Sequence, residues 1–285
     1  MFANRSTRRN FLTLLAGAAG GSLLCGPLAA QPPALTRGFD QTSPAYASGE
    51  ELNRQRNIWV MEVQYKPMRM VFLPRTNADG SAAAPDQVWY LAWRAINRPL
   101  TNRKVDDETV PVNDVEPRPG PDIFIPDFTL VSFADRTTEI PVDVYHDVVI
   151  PAAVRRVNVL ERRSTSDPLF LDSVSLIRDL PPEVSSDEAD QPWVYGVAMW
   201  RNPNPDIDFF KVIMRGFSNG YEIDDGPDGQ PLKSRKVLVQ KFTRLGDRFD
   251  PDQKEFAFDG NPTWEYQPMS GPLSRESGDR PVGRR

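Results

Sequence analysis

The chain has 285 residues, 39% hydrophobic and 26% charged, which is the composition of a globular protein with a sizeable core. Its formal net charge is −5, and the first 30 residues hold three arginines and no acid, so their removal changes the charge to −8. An acidic chain has no general attraction to nucleic acid or anionic lipid, so we expect no nucleic-acid partner.

Residues 1–30 have the order of a twin-arginine signal peptide. Thr7-Arg8-Arg9-Asn10-Phe11-Leu12 pairs two arginines with Phe and Leu, an apolar run continues to Leu24, and Leu28-Ala29-Ala30 offers a cleavage site before Gln31. The run is too short for a membrane span and no later run approaches 18 apolar residues, so we expect no transmembrane segment after signal removal. The segment predicts twin-arginine translocation to the periplasm or the extracellular space. An ordinary secretory signal is the closest alternative.

Cys25 is the only cysteine. A lipoprotein cysteine normally follows small residues, and Leu24 is not small, so anchoring of a lipoprotein through Cys25 is the less favoured interpretation. If cleavage follows Ala30, the mature chain has no thiol and no disulfide. Such a chain suits the twin-arginine route, which carries proteins already folded in the reducing cytoplasm.

The body of the chain alternates in the manner of β-strands. After an irregular leader at 31–56, large apolar residues recur at every second position in segments 58–65, 68–73, 88–97, 128–133, 193–200, 209–217 and 237–242. Pro151, with Ile150, Val154 and Val157 at helical spacing, predicts one short helix. Twenty-eight prolines, roughly twice the usual frequency, favour short elements. Residues 98–122 and 181–192 are predicted to be long loops, and 267–285 a disordered tail.

These elements predict a mainly β fold. Eight to ten strands with one short helix and long proline-rich loops favour an antiparallel β-sandwich, immunoglobulin-like or related, as a single domain over 57–266. A sandwich receives large apolar side chains only in its interior, so we expect one continuous buried body. Its predicted members are Trp89, Trp93, Tyr195, Val197, Trp200, Phe210, Val212, Leu238 and Phe242.

Several short segments of the body carry a resemblance. They are Trp89-Tyr90-Leu91 with Arg94 and Asn97, Gly196-Val197-Ala198-Met199-Trp200, Asp206 to Phe210, and Arg215-Gly216-Phe217-Ser218-Asn219. Across roughly residues 57–266 the chain resembles an uncharacterised family of exported bacterial β-rich proteins with a twin-arginine-type signal. The resemblance implies an envelope protein and lends no activity, substrate or site residue.

Candidate catalytic and metal-binding residues are few. His146 is the only histidine and no Gly-x-Ser-x-Gly elbow accompanies it, so a surface or hydrogen-bonded histidine is the expected role. Zinc needs more His or Cys than the chain holds. Asp224, Asp228 and Gly229 partly resemble a calcium loop, but turn chemistry alone explains them. The sequence therefore assigns no catalytic residue, no cofactor and no metal ligand.

Acidic residues and tryptophans leave a carbohydrate-related function open as an alternative. The acid pairs Asp206 with Asp208 and Glu222 with Asp224 have the residue types of a glycosidase, and six tryptophans could stack on sugars. The six are Trp59, Trp89, Trp93, Trp193, Trp200 and Trp264. Core packing is the expected role of most of them, and Trp264, near the end of the folded region, is the least committed to the core. A basic helix face, expected to be solvated, carries Arg155, Arg156, Arg162 and Arg163.

The sequence favours an exported, non-enzymatic envelope protein with a binding or structural role and an unknown partner, an envelope protein or a glycan. The alternative is a carbohydrate-binding or carbohydrate-active secreted protein. Exposed tryptophans beside paired carboxylates in a groove would favour the alternative, and buried tryptophans would favour the first hypothesis.

Overall fold

The computed structural model describes residues 38–100, 122–164, 166–226, 229–244 and 256–269. The secondary structure of these residues is β1 (Gln41–Ser43), α1 (Gly49–Arg54), β2 (Met61–Tyr65), β3 (Arg69–Thr76), β4 (Ala82–Asn97), β5 (Ile123–Phe124), β6 (Asp127–Phe133), β7 (Pro141–His146), α2 (Pro151–Leu160), β8 (Leu171–Asp172), β9 (Arg178–Asp179), β10 (Val194–Arg201), β11 (Phe209–Arg215), β12 (Tyr221–Asp225), β13 (Pro231–Thr243), β14 (Ala257–Phe258) and β15 (Thr263–Pro268). The signal segment, most of the 98–122 loop and nearly all of the predicted tail lie outside the described residues.

Two sheets form the body of the fold. The first has the order β1-β2-β4-β10-β8, and β3 also pairs with β4, so that β2 and β3 follow one another along one side of the long strand β4. The second has the order β12-β13-β11-β6-β7, and β14 and β15 pair with the far side of β13. All of these pairs are antiparallel except β8 with β10. Strands β5 and β9 form a separate ribbon.

The two sheets pack face to face over one apolar core. The core joins inward residues of the first sheet, such as Trp89 and Trp93, to inward residues of the second, such as Phe210 and Phe242. Trp89 and Phe210 approach to 5.4 Å between ring centroids, and Phe210 stacks on Phe242 at the same distance. The predicted mainly β, antiparallel, sandwich-like fold is confirmed, while its immunoglobulin-like subtype stays a prediction.

Helix α2 covers the outer face of the first sheet. Ala153 and Val157 of the helix are buried against Tyr90 and Ala92 of β4 and Val197 of β10. Strands β4 and β10 are therefore buried on both faces, which explains why both of their alternating residue sets are apolar. The helix begins at Pro151 as predicted.

The predicted core is largely confirmed, with one correction of its shape. Eight of the nine predicted residues are buried, and Tyr195 is only partly buried. Val197 is buried and Tyr195 packs against the same cluster, but that cluster lies under α2 and not between the sheets. The nine residues expected in a single body thus divide between two clusters, one on each face of the first sheet.

The prediction that residues 31–56 are irregular is wrong for part of this segment. The prediction of a single helix is also wrong, because the described residues contain two. Among its described residues the leader contains β1 and α1. The Ser48 hydroxyl accepts from the Glu51 amide at 3.1 Å, while the Glu51 carboxylate accepts from the Ser48 amide at 2.6 Å. This reciprocal capping box satisfies two amides at the helix start and outweighs the irregular composition around it. Neither helix has the length and apolar character needed to span a bilayer.

Candidate functional site

The outer face of the first sheet carries a group of aromatic and cationic side chains beside α2. Gln64, Arg94 and Tyr195 are register partners on β2, β4 and β10, so they lie side by side across the sheet. Their neighbour Trp93 faces the core, so Arg94 faces outward. We call this group the cation–aromatic cluster, and it consists of Phe39, Lys66, Arg94, Arg163, Phe170, Trp193 and Tyr195.

Three rings form the centre of the cation–aromatic cluster. The centroids of Phe39, Phe170 and Tyr195 lie 6.0 to 6.4 Å from one another, and the rings are tilted or edge-on. A pair of hydrogen bonds fixes Phe170, whose amide donates to the Asn158 side chain at 2.9 Å while its carbonyl accepts from that side chain at 3.0 Å. Because Asn158 belongs to α2, the helix positions this ring over the sheet.

Each cation of the cluster contacts two rings. The Arg94 guanidinium lies 4.5 Å from the Phe39 centroid and 4.1 Å from that of Trp193. The Arg163 guanidinium lies 4.5 Å from Phe170 and 4.4 Å from Tyr195. Lys66 Nζ lies 5.3 Å from Phe39 and 6.0 Å from Phe170. These are cation–π distances, at which the faces of the rings attract the cations.

Two cations of the cluster, Arg94 and Arg163, form no ion pair with a described carboxylate. Arg94 donates from Nε and Nη2 to the neutral amide oxygen of Gln64, at 2.9 and 2.6 Å. Within the described part of the chain, no carboxylate lies at ion-pair distance from Arg94 or Arg163. Asp167, whose pKa is lowered chiefly by hydrogen bonds from Ser164, feels the charge of Arg163 at longer range.

Lys66 differs because a buried carboxylate pairs with it. Glu161, at the end of α2, accepts from Lys66 Nζ and from Arg69 Nη1, both at 2.7 Å, and from the Tyr90 hydroxyl at 3.0 Å. All four side chains are buried. Burial, and then the charge of Glu161, raise the pKa of the Tyr90 hydroxyl. This network ties the end of α2 to the sheet and holds the Lys66 side of the cluster in place.

His146 and Asp147 take separate positions at the end of β7. His146 is exposed, and its Nδ1 lies 3.5 Å from Thr129 Oγ1. Asp147 accepts from the Met199 amide at 2.8 Å and from the Ser173 hydroxyl. Burial raises the pKa of Asp147 to about 6. The serine hydroxyl thus donates directly to the aspartate, which is not the order of a Ser-His-Asp triad.

The acidic candidates are dispersed. Glu222 of β12 pairs with Arg54 at 3.1 Å, and Asp224, two residues further, is exposed. Asp228 lies outside the described residues. Asp206 and Asp208 immediately precede β11, whereas Glu222 comes after that strand in the chain. The Asp208 carbonyl accepts from the Arg244 amide at 2.8 Å. Among the described residues, no group of three or more His, Cys, Asp or Glu side chains is placed to hold a metal ion.

The tryptophans divide into core and surface residues. Trp59, Trp89, Trp93 and Trp200 are buried, as most tryptophans were expected to be. Trp264 is partly buried against the core, and Trp193 is a partly exposed member of the cation–aromatic cluster. Of the predicted basic helix face, Arg155, Arg156 and Arg162 are exposed, whereas Arg163 lies on the aromatic rings.

The sequence did not indicate Phe39, Phe170 or Tyr195 as functional residues. Phe39 lies in the predicted leader, and only tertiary contacts bring it over Arg94.

Comparison of the chain with protein-family models, curated proteins and solved structures finds no match. The family resemblance stays a prediction, and function has to be inferred from the chemistry of the side chains.

Proposed function

We propose that the chain is an exported, non-enzymatic binding protein of the bacterial envelope that binds an acidic ligand on the cation–aromatic cluster. The observation that carries the proposal is the pairing of Arg94 and Arg163 with aromatic rings in place of carboxylates. Each guanidinium keeps its charge available to an incoming anion. Because the whole chain is acidic, the cluster contrasts in charge with the rest of the molecule.

Stacking prepares these two arginines for anion recognition. The rings restrain the plane of each guanidinium, and a restrained guanidinium loses little entropy when it binds a carboxylate. In Arg94 the Nε and Nη2 donors already bind Gln64, so an anion would use Nη1 and the second hydrogen of Nη2. Arg94 and Arg163 are both partly buried, so salt screens their charges less than it screens fully exposed ones. The Glu161 network and Asn158 hold the surrounding rings in place without occupying either guanidinium.

Export is the second part of the proposal, and Arg8 and Arg9 support it. Replacing both by lysine should stop delivery of the folded precursor to the envelope, because the twin-arginine route depends on the pair. Fractionation of cells that express the wild type and the double variant measures this. Unchanged delivery of the variant would contradict the twin-arginine assignment while leaving the binding proposal intact.

A carbohydrate ligand is the second candidate function, and Trp193 favours it. Its partly exposed ring lies beside Arg94, and an aromatic ring next to arginine can stack on a sugar while the arginine binds an acidic substituent. The four buried tryptophans no longer support a wider sugar-binding surface, because they form the core. Under this candidate the ligand is an acidic glycan.

Isothermal titration at low salt tests the binding proposal. The probes are polyglutamate, polygalacturonate and neutral dextran. The test variant is Arg94→Gln with Arg163→Gln, and the matched control is Arg155→Gln with Arg162→Gln, which removes the same charge from exposed positions outside the cluster. We expect at least one acidic polymer to bind and the cluster variant to lose about tenfold in affinity, while the control stays within about twofold.

The outcomes separate the candidates. Binding of both acidic polymers supports a general acidic ligand, and binding of polygalacturonate alone supports the glycan candidate. Failure of both acidic polymers to bind the wild type, or equal losses in the cluster and control variants, would overturn the proposal. Dextran binding that survives in the cluster variant would also overturn the acidic-ligand assignment.

A further inference from the structure

A small cavity lies on the other side of the Glu161 network from the cation–aromatic cluster. It has a volume of about 290 Å³ and is lined by Arg69, Met70, Val71, Phe72, Tyr90, Arg156 and Leu160. Ligand pockets span roughly 300–1,000 Å³, so this cavity suits a small molecule or the end of a larger one. Its walls come from β3, β4 and α2, and so from rigid elements.

The charged groups that line the cavity have one sign. Among the described lining residues, the two charged side chains are Arg69 and Arg156, and no carboxylate lines it. Arg69 is only 1% exposed, and Glu161 holds its Nη1 at 2.7 Å, which fixes the guanidinium in one position. Arg156 is exposed on α2 and makes no ion pair with any residue that the structure describes. A fixed cation at the base and a free one at the rim favour an anion.

Apart from Tyr90, whose hydroxyl binds Glu161, the remaining walls are apolar. Met70 and Val71 are buried, Leu160 is partly buried, and Phe72 is 41% exposed, a high value for an aromatic ring on a strand. A ligand that covered Phe72 and Leu160 would remove this apolar surface from water, which favours binding. Inorganic anions cannot supply such contacts. The cavity therefore requires a negative group joined to a short hydrocarbon chain.

The geometry points to a binding site for an aliphatic carboxylate in this cavity. Arg156 binds the carboxylate, Arg69 contributes positive charge at the base while it stays bound to Glu161, and the chain lies against Val71, Phe72 and Leu160. The site differs from the cation–aromatic cluster in residues and in ligand, because the cluster offers stacked rings for an extended acidic ligand. The two sites share only the buried Glu161 network between them.

Titration of the full chain with octanoate tests the inference, with octylammonium and inorganic phosphate as comparison ligands. The test variant is Arg156→Gln and the matched control is Arg155→Gln, the preceding exposed arginine of the same helix, which does not line the cavity. We expect octanoate to bind and raise the melting temperature, since a ligand that binds the native state stabilises it. Arg156→Gln should weaken octanoate binding about tenfold, and Arg155→Gln by less than twofold.

A second variant separates the cavity from the surface charge. Leu160→Trp places a larger side chain at the cavity wall, and in a variant whose melt stays cooperative it should abolish octanoate binding. Arg94→Gln with Arg163→Gln should leave octanoate binding unchanged, so failure of this site and failure of the proposed function are distinguishable. Absence of octanoate binding to the wild type, equal binding of octylammonium, or equal binding of phosphate would each overturn the inference.

Discussion

Gly196 lies directly opposite Trp93 in the pairing of β10 with β4, and the indole of Trp93 occupies the space beside it. A Cβ built at Gly196 would lie 2.1 Å from Trp93 Cζ2 and 2.7 Å from Leu176 Cδ1. Real Cβ atoms essentially never approach within 3.0 Å. Glycine normally weakens a strand interior, and here the close approach of a buried aromatic ring explains it.

Gly196→Ala should therefore destabilise the fold. We expect the free energy of unfolding to fall by about 3 kcal/mol, because the added methyl overpacks a core with no room to relax. Urea denaturation measures the loss. Gly49→Ala is the control, since a Cβ there meets nothing within 4 Å. In a Trp93→Leu background the same Gly196→Ala change should cost much less. An equal cost in both backgrounds would disprove the steric explanation.

The next prediction is that the core depends on the packing of the tryptophan rings and not on hydrogen bonds from their indole N–H groups. Within the described part of the chain, the Nε1 atoms of Trp59, Trp89, Trp93, Trp200 and Trp264 are buried and have no hydrogen-bond acceptor. Trp93→Ala should cost about 3–5 kcal/mol through lost packing. Trp93→Phe should cost less than half of that, because it keeps a ring against Phe217 and breaks no hydrogen bond. Equal losses in the two variants, measured by urea denaturation, would show that the indole N–H has an acceptor.

Glu161 gives a prediction about the attachment of α2. Glu161→Gln leaves Lys66 and Arg69 buried without their shared carboxylate, so we expect a loss of about 3–5 kcal/mol in the free energy of unfolding. Glu50→Gln, which breaks an exposed pair with Arg54, is the control and should cost less than about 1 kcal/mol. Similar costs for the two variants would show that the Glu161 network contributes no more than a surface pair.

Local sequence pattern was enough to predict the strands of the core but not the candidate site. Alternating apolar residues identified β10, β11 and parts of β4 and β13, because each of these segments packs a continuous apolar face. The edge strand β7 was not predicted, because it is short and none of its six residues is buried. Helix α1 was recognisable from Ser48 and Glu51, but the surrounding composition concealed it.

The candidate site could not be predicted from the sequence because its residues come from segments that are far apart in the chain. Lys66 and Glu161 are 95 positions apart, and Arg94 contacts Phe39 from the predicted leader and Trp193 from the segment that precedes β10. Alternation correctly separates Arg94 from the inward Trp93, but it cannot say which rings will lie over the guanidinium. Arg163 is one of four similar arginines, and only the position of Phe170 and Tyr195 distinguishes it.

The last prediction concerns the pH dependence of stability, through Asp147. Burial raises its pKa from the usual 3.8 to about 6, against the opposing effect of hydrogen bonds from Ser173 and Met199. Because the folded protein binds this proton more tightly than the unfolded chain, the contribution of Asp147 to stability is greatest below pH 3.8. It is lost as the pH rises through about 6.

Asp147→Asn should remove this dependence. The shift of about two pH units corresponds to roughly 3 kcal/mol, which is the upper limit of the gain at pH 8. An amide oxygen can still accept from the Met199 amide, and the amide N–H can donate to the Ser173 hydroxyl. We expect the variant to be more stable than the wild type at pH 8 and nearly equal to it at pH 4, as measured by urea denaturation across that range. A variant that is less stable at pH 8, or one whose difference from the wild type does not change with pH, would show that the ionised carboxylate is the form that the fold requires.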